Sequence, residues 1–391
     1  MLKFSCIFFL ILVSSFANGQ QRISSEQELL SILSGKDELV DDVLSNREQY
    51  RLQLVYTPVL SPEGRLGETL NLTTGDYFYP ASTVKLPTAL LALEKLKRLG
   101  LSADHVLKLN SDVDCGSSTF VELSQRRDIS FKEMISELLV VSDNNYYNSL
   151  YHFLSPAEIN KRLMEKGYVD SKIYRAFTGC EVSEHLTCNS YTINDSRGNS
   201  VYEDSICVLP SIDFEQRYSF DASLLIGKKH ENKEGVIVDG PFDFNYNLEI
   251  PLTELHNMLM RLVFPNQFPL SERWDIHETD RLFLLKLLGM YPRELKNPKY
   301  KNRERYPDLI YKYLMIGEGN PKAIRTISKI GLSYGFTTET AFVIGADGKG
   351  YFLSVSMYTN ANDVVNDGKY EYNELARPFL SRIGKILFEH R

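Results

Sequence analysis

The chain has 391 residues, 43% hydrophobic and 24% charged, which is the balance of an ordinary globular protein with apolar residues enough for a substantial core. A net charge of −7, with the basic residues scattered rather than clustered, argues against nucleic acid as a partner. No internal repeat or low-complexity tract stands out, which leaves one large domain or two interleaved ones.

The first residues read as an export signal. Met1-Leu2-Lys3 supplies a positive start, residues 4–16 form an apolar run too short for a good membrane span, and Ala17-Asn18-Gly19 offers the small residues of a cleavage site. A signal peptide over 1–19 predicts a mature domain over 20–391, periplasmic or secreted, with no stable membrane span. Cys6 lies inside the apolar run rather than beside the cleavage site, which argues against a lipid anchor. The mature part keeps Cys115, Cys180, Cys188 and Cys207, enough for two disulfides in three possible pairings, with unpaired structural thiols as the rival reading. Neither a CxxC nor a Cys/His zinc spacing occurs, so the sequence supports no metal and no cofactor.

Further along, residues 24–47 read as an amphipathic helix, 50–60 as a strand, and 67–80 as a second strand or turn. Helical signals then dominate: 131–141, 144–154, and 156–167, the last closed by Gly167. Residues 190–250 change character, becoming rich in Tyr, Phe, Asn, Asp and Gly without helical period, and read as an insertion of loops and short strands. Helices return at 251–264 and 278–289. Three strand-like runs follow at 323–331, 340–347 and 350–359, with Asp347-Gly348 as a hairpin turn, and a helix closes the chain at 371–390. The order predicts an α+β protein: a sheet subdomain from 24–80 plus 320–391, interrupted by a helical subdomain over 81–319 that carries the atypical insertion. A cleft is expected where the two meet.

Three short elements carry chemistry. In Ser82-Thr83-Val84-Lys85, the lysine falls on the buried stripe of a helix (with Ala89, Leu93 and Leu96) one turn after the serine. A helix-start serine feels the positive end of the macrodipole, and a desolvated lysine can lose its proton and activate that serine. The bland alternative is an N-capping serine with a snorkelling lysine. Ser142-Asp143-Asn144 sits between two helices, where such residues also serve as caps. Lys329-Ile330-Gly331 ends a strand, where a lysine is usually a solvated edge residue and a glycine lets a substrate backbone come close.

In this order the three resemble the S-x-x-K, S-D-N and K-T-G elements of the serine β-lactamases and penicillin-binding proteins, and the class A β-lactamases look closest. The 60-residue step from Ser82 to Ser142 is similar to that family's spacing. The resemblance covers about 24–190 and 250–390. It implies an antiparallel sheet flanked by N- and C-terminal helices with an inserted helical domain. It also implies that Ser82 is the acylated nucleophile and Lys85 its proton partner. Ser142 would relay a proton to the leaving nitrogen, and Asn144 would hold Lys85 and the substrate's amide. Lys329 would offer positive charge to a substrate carboxylate and tune Ser142. The backbone N–H groups of Ser82 and Leu332 would form the oxyanion hole.

Two departures stand beside it. The family clears its acyl intermediate with a loop glutamate; here Arg175 matches the family's loop arginine, but the glutamate position becomes Phe177. The nearest carboxylates are Glu181, the candidate replacement, and Glu184. Ile330 replaces the hydroxyl residue that binds the substrate carboxylate. Thr326, Ser328 and Ile330 alternate with Lys329 and so face the other way, whereas Ser333 shares its face. No arginine follows on the next strand. The expected function is therefore a serine hydrolase acting on β-lactam or related acyl substrates. The rivals are a D,D-peptidase-like or esterase activity on a peptidoglycan-like substrate, and a binding protein whose insertion aromatics (Tyr191, Tyr202, Phe214, Tyr218, Phe220, Phe242, Phe244, Tyr246) form a contact surface.

Overall fold

Ser24 starts the first helix by accepting from the Gln27 N–H, while the Gln27 side chain accepts from the Ser24 N–H, a reciprocal capping box. That helix, α1 (Ser25–Leu33), ends before Gly35, which takes φ 71°, and Asp37 caps a second helix, α2 (Glu38–Ser45). The single helix expected over 24–47 is therefore two. The left-handed glycine turns the chain, and a carboxylate that accepts from Leu39 and Val40 N–H groups favours a new start over continuation. The computed structural model describes residues 24–110, 129–178, 190–204, 220–308, 311–314 and 323–391. The expected signal segment, all four cysteines of the mature chain, Glu181, Glu184, Phe214 and Tyr218 lie outside the described residues.

Strands β1 (Gln53–Val59) and β2 (Leu70–Leu72) follow, then a single 3₁₀ turn (Ala81–Val84) that runs straight into α3 (Lys85–Arg98). After β3 (Val106–Asn110) come α4 (Phe131–Val140), α5 (Asn144–Leu154) and α6 (Pro156–Glu165). Residues 172–249 supply only short strands: β4 (Lys172–Ile173), β5 (Ser190–Asn194), β6 (Ser200–Asp204), β7 (Leu225–Ile226), β8 (Lys229–Glu231), β9 (Ile237–Asp239), β10 (Phe242–Asp243) and β11 (Leu248–Glu249). Then come α7 (Leu252–Val263), α8 (Glu278–Gly289), the long strands β12 (Ala323–Ser333), β13 (Phe336–Gly345) and β14 (Gly350–Tyr358), the short β15 (Val364–Val365), and α9 (Arg377–His390). Among the described residues no helix is long and apolar enough to cross a membrane.

The main sheet is antiparallel in the order β12-β13-β14-β1-β2. Alternation of side chains gives it two buried faces. One packs Leu54, Tyr56, Val343 and Leu353 under the terminal helices, with Leu29, Val40, Phe379 and Ile383. The other packs against α7 and the helical body through residues such as Val55, Phe352, Leu255 and Leu90. His256 ties α7 to that face: one ring nitrogen lies 2.9 Å from Thr57 Oγ1 and the other 3.0 Å from Ser354 Oγ. The α+β fold expected from the sequence is the one observed.

The inserted segment packs in part, while its β9 edge (Ile237, Val238) is exposed. Phe244 is fully buried and meets Tyr77, Tyr79 and Phe336, while Tyr191 stacks on Tyr202 at 6.0 Å. Of the aromatics named above and described, Phe220 is strongly exposed, at 62%. Edge strand β12 closes against the Ala81–Val84 turn so tightly that a Cβ on Gly331 would lie 2.4 Å from the Pro80 carbonyl and 3.2 Å from the Ser82 nitrogen. That contact requires glycine.

Candidate active site

The site is built on the seam between β12 and the 3₁₀ turn. Val84 occupies the cap position of α3, so Ser82 does not serve as its cap, and the capping reading of that serine fails. Ala81, just before it, is held at φ 45°, a conformation that costs a non-glycine residue roughly 1–3 kcal/mol. Ser142 is held at φ 59°. Such outliers persist where surrounding structure over-determines them, and here two of them meet at one place.

The loop between α4 and α5 divides its labour. Asp143 is a helix cap, accepting from the Asn145 N–H at 2.8 Å and the Tyr146 N–H at 3.1 Å. With Asp143 turned to the backbone, Ser142 and Asn144 face Lys85. Lys85 Nζ donates to the Ser142 carbonyl at 2.5 Å, to Asn144 Oδ1 at 2.6 Å, and lies 3.1 Å from Ser142 Oγ. Lys329 reaches the same hydroxyl from the sheet side: its Nζ is 3.0 Å from Ser142 Oγ and donates to the Ile330 carbonyl at 2.9 Å. One serine hydroxyl thus bridges two buried lysines, neither of them on the surface where lysines normally sit.

Burial is the first cause of what this does to their protons. Desolvation, and then the charge of Lys329, hold the Lys85 amine well below the usual lysine range, with Asp143 opposing. Lys329 is lowered to about 7 by burial and by Lys312, with Glu339 opposing. The folded site therefore favours the neutral amine at each lysine more than water does, and the neutral amine is the form that accepts a proton.

The β12 backbone follows from the same bonds. The Ser328 and Ile330 carbonyls accept from Lys312 and Lys329, so this alternate set of backbone groups points away from β13. By the two-residue period the Leu332 N–H belongs to that set and faces the Ser82 turn. Ile330 itself packs under the terminal helices, and Ser328 meets Lys312, so both side chains face away from the cleft as alternation requires. Ser333, half-buried at the end of β12, shares the face of Lys329 and Gly331.

The loop after α6 is equally well held. Asn148 accepts from the Phe177 N–H at 2.7 Å and donates to its carbonyl at 3.2 Å, and the Tyr147 hydroxyl donates to the Arg175 carbonyl at 2.8 Å. These bonds set the Phe177 ring 4.5 Å from Tyr147 and 5.3 Å from Lys85 Nζ, centroid to atom. Among the described residues an aromatic ring meets the lysine from this side.

Sequence reasoning missed Lys312 and Glu339, a buried pair behind β12. Glu339 is fully buried and accepts from the Tyr313 and Leu314 N–H groups, and Lys312 donates to the Leu288 carbonyl. Strand alternation marks Glu339 as core-facing, and a charge at such a position was the available signal. A groove between α1 and α9, lined by Lys36, Asp37, Arg382 and Lys385, lies across the sheet from Ser82.

A family model described as the beta-lactamase enzyme family matches residues 39–200. No curated protein matches the chain significantly. Among solved structures, the chain is similar to a β-lactamase from Chitinophaga pinensis (15% identity, TM-score 0.51, 90% of this chain and 99% of that one). It is similar to a class A β-lactamase from Bacteroides cellulosilyticus (13%, 0.51, 94% and 98%) and to a β-lactamase from Burkholderia vietnamiensis (13%, 0.52, 95% and 97%). The chain has the β-lactamase fold. With the family match, that fold supports a β-lactamase-like hydrolase at the level of the family.

Proposed function

We propose that this protein is an exported serine hydrolase that forms an acyl-enzyme at Ser82, with a β-lactam or a related amide or ester as substrate. The observation that carries the reading is the Lys85 amine, fully buried one helical turn from Ser82 and sharing Ser142 with Lys329. In the neutral form it takes the Ser82 proton as Oγ attacks the acyl carbonyl. The Ser82 and Leu332 N–H groups receive the developing oxyanion. Ser142, fed by either lysine, passes a proton to the leaving nitrogen, and Asn144 holds Lys85 in place. Export is supported by the apolar segment over residues 4–16.

Deacylation is where two enzyme readings part. Phe177 stands at the position the family gives to a glutamate, and a phenyl ring has no lone pair with which to activate water. That favours a penicillin-binding, peptidase-like enzyme with a long-lived adduct over a fast β-lactamase. Glu181 is the candidate that would restore turnover, and a binding-only role would leave Ser82 unmodified.

The test is intact mass against time after mixing the mature protein with a penicillin, with Ser82→Ala as the control. A Ser82-dependent adduct that persists supports the peptidase-like reading, and one that vanishes as penicillin is consumed supports a β-lactamase. No adduct with penicillins or with simple acyl esters overturns acylation at Ser82.

A further inference from the structure

The slot beside Ser82 has two ends of different chemistry. At the Lys329 end Ile330 is buried away from the cleft and Lys329 is engaged by Ser142 and a backbone carbonyl, while the β12 hydroxyl on that face, Ser333, lies four residues further along the strand. At the other end Tyr79 and Tyr334 flank the Gly331–Ser82 contact, their rings 5.1 Å apart and inclined at 78°. Tyr334 is fixed there by a two-residue turn, Tyr334-Gly335, with φ 53° and 87°, the left-handed pair of a tight hairpin. Phe242 and Phe244 from the inserted segment back it, at 5.2 and 5.3 Å.

Two phenols meet at this end, and the charge of Arg175 acts on both. Tyr79 is 3% exposed, yet among the described residues neither its hydroxyl nor that of Tyr334 has a hydrogen-bond partner. Arg175 lies two residues before Phe177 on the clamped loop, half-buried, and no carboxylate among the described residues pairs with its guanidinium. Its charge reaches both phenols, opposing the upward push that burial gives each of them. A guanidinium presents five donors in a planar fork suited to a carboxylate, and leaving it half-buried and unpaired is costly.

We propose that Arg175, Tyr79 and Tyr334 form a subsite for a carboxylate carried on the acyl portion of the substrate. The proposal rests on acylation at Ser82, because it places the acyl group at the Tyr334 end of the slot and the leaving group at the Lys329 end. The guanidinium takes the carboxylate in a forked pair, the two phenols donate to it, and the surrounding rings exclude water from the pair. The inserted segment then has a part in specificity, since Phe242 and Phe244 hold Tyr334 in position.

Two penicillins differing only in an α-carboxylate on the benzyl acyl side chain test this. Binding of each to Ser82→Ala protein is measured by calorimetry, and acylation of the wild type by intact mass. The expected result is a preference for the carboxylated compound of roughly 10- to 100-fold, the range of a charge-assisted hydrogen bond. Arg175→Gln should abolish the preference, Arg175→Lys should retain part of it, and Tyr334→Phe should reduce it. Equal binding of the two compounds, or a preference that survives Arg175→Gln, overturns the subsite. A fluorophosphonate probe separates this from failure of the acyl-enzyme reading, because it requires only an activated Ser82. Labelling without a carboxylate preference overturns the subsite alone. Absence of labelling overturns acylation at Ser82, while binding to Ser82→Ala still decides the subsite.

Discussion

On the helix-and-strand side of Ser82, Lys85, Ser142, Asn144 and Lys329 are joined by contacts of 2.5 to 3.1 Å. On the loop side the same lysine meets the Phe177 ring, and Arg175 stands without a carboxylate partner among the described residues. The first side has what proton transfer needs: short contacts, burial that frees an amine from its proton, and a hydroxyl shared between two bases. The second has apolar contact and a half-buried guanidinium, which suit binding and exclusion of water rather than activation of it. On the proposed acyl-enzyme reading the two half-reactions are built separately, because acylation uses groups locked together by short buried contacts and deacylation depends on what the loop around Phe177 presents.

The largest effect should come from breaking the first side. Lys85→Met keeps the length and apolar stem of the side chain but removes the amine, and acylation of Ser82 should fall by about 10²–10⁴-fold, the usual worth of a general base. Rates from intact mass at several penicillin concentrations check this, and a rate within threefold of the wild type would mean that Lys85 is only a packed side chain. The next effect would convert the second side into the first. Phe177→Glu puts a carboxylate beside Lys85, within a backbone already clamped by Asn148, and should shorten the life of the adduct by about 10²-fold or more. An unchanged lifetime would show that the missing base is not what limits turnover.

These two substitutions also mark how far the sequence could be read. The burial of Lys85 on its helix stripe was legible from helical period, whereas Ser82, Ser142, Asn144 and Lys329 were proposed from the order and spacing of three short elements rather than from any period. Phe177 was legible as a departure, since counting along an ungapped loop placed it at the position the resembled family gives to a glutamate, and the structure puts its ring 5.3 Å from Lys85 Nζ. The break at Gly35 was missed because helical period continues across it, and only the left-handed backbone ends the helix. Glu339 carried a local signal, a charge at a core-facing strand position, that went unread; Lys312 and the Tyr79–Tyr334 pair were missed because they depend on contacts between distant segments, which no local pattern encodes.

Gly331→Ala probes the seam that joins the two sides. The added methyl would lie 2.4 Å from the Pro80 carbonyl, against backbone that cannot swing aside, so β12 and the Ser82 turn must separate. A loss of about 1–3 kcal/mol in stability is expected from such overpacking. A slower acylation should accompany it, as the Ser82 and Leu332 N–H groups move apart. Thermal unfolding and acylation rates measured on one preparation check both, and a stable variant with normal acylation would place the oxyanion donors elsewhere.

The smallest effect expected is a shift with pH, and its sign follows from the lysine pair. In the proposed acylation the neutral form of Lys85 is the working one, and the charge of Lys329 favours that form. Lys329→Met removes that charge, so Lys85 holds its proton to higher pH and the acid limb of the acylation profile moves upward. Stability carries an independent sign. Lys329 is lowered from 10.5 to about 7 in the folded protein, so between those values the unfolded chain binds more protons than the folded one. Stability contributed by this group therefore rises with pH across that window, and Lys329→Met should flatten the rise. Urea denaturation at the two ends of the window measures the slope, and an equal slope in wild type and variant would mean that Lys329 keeps its proton in the folded site. Its bond to Ser142 would then be that of a permanent ammonium, and Lys85 alone would remain to receive the Ser82 proton.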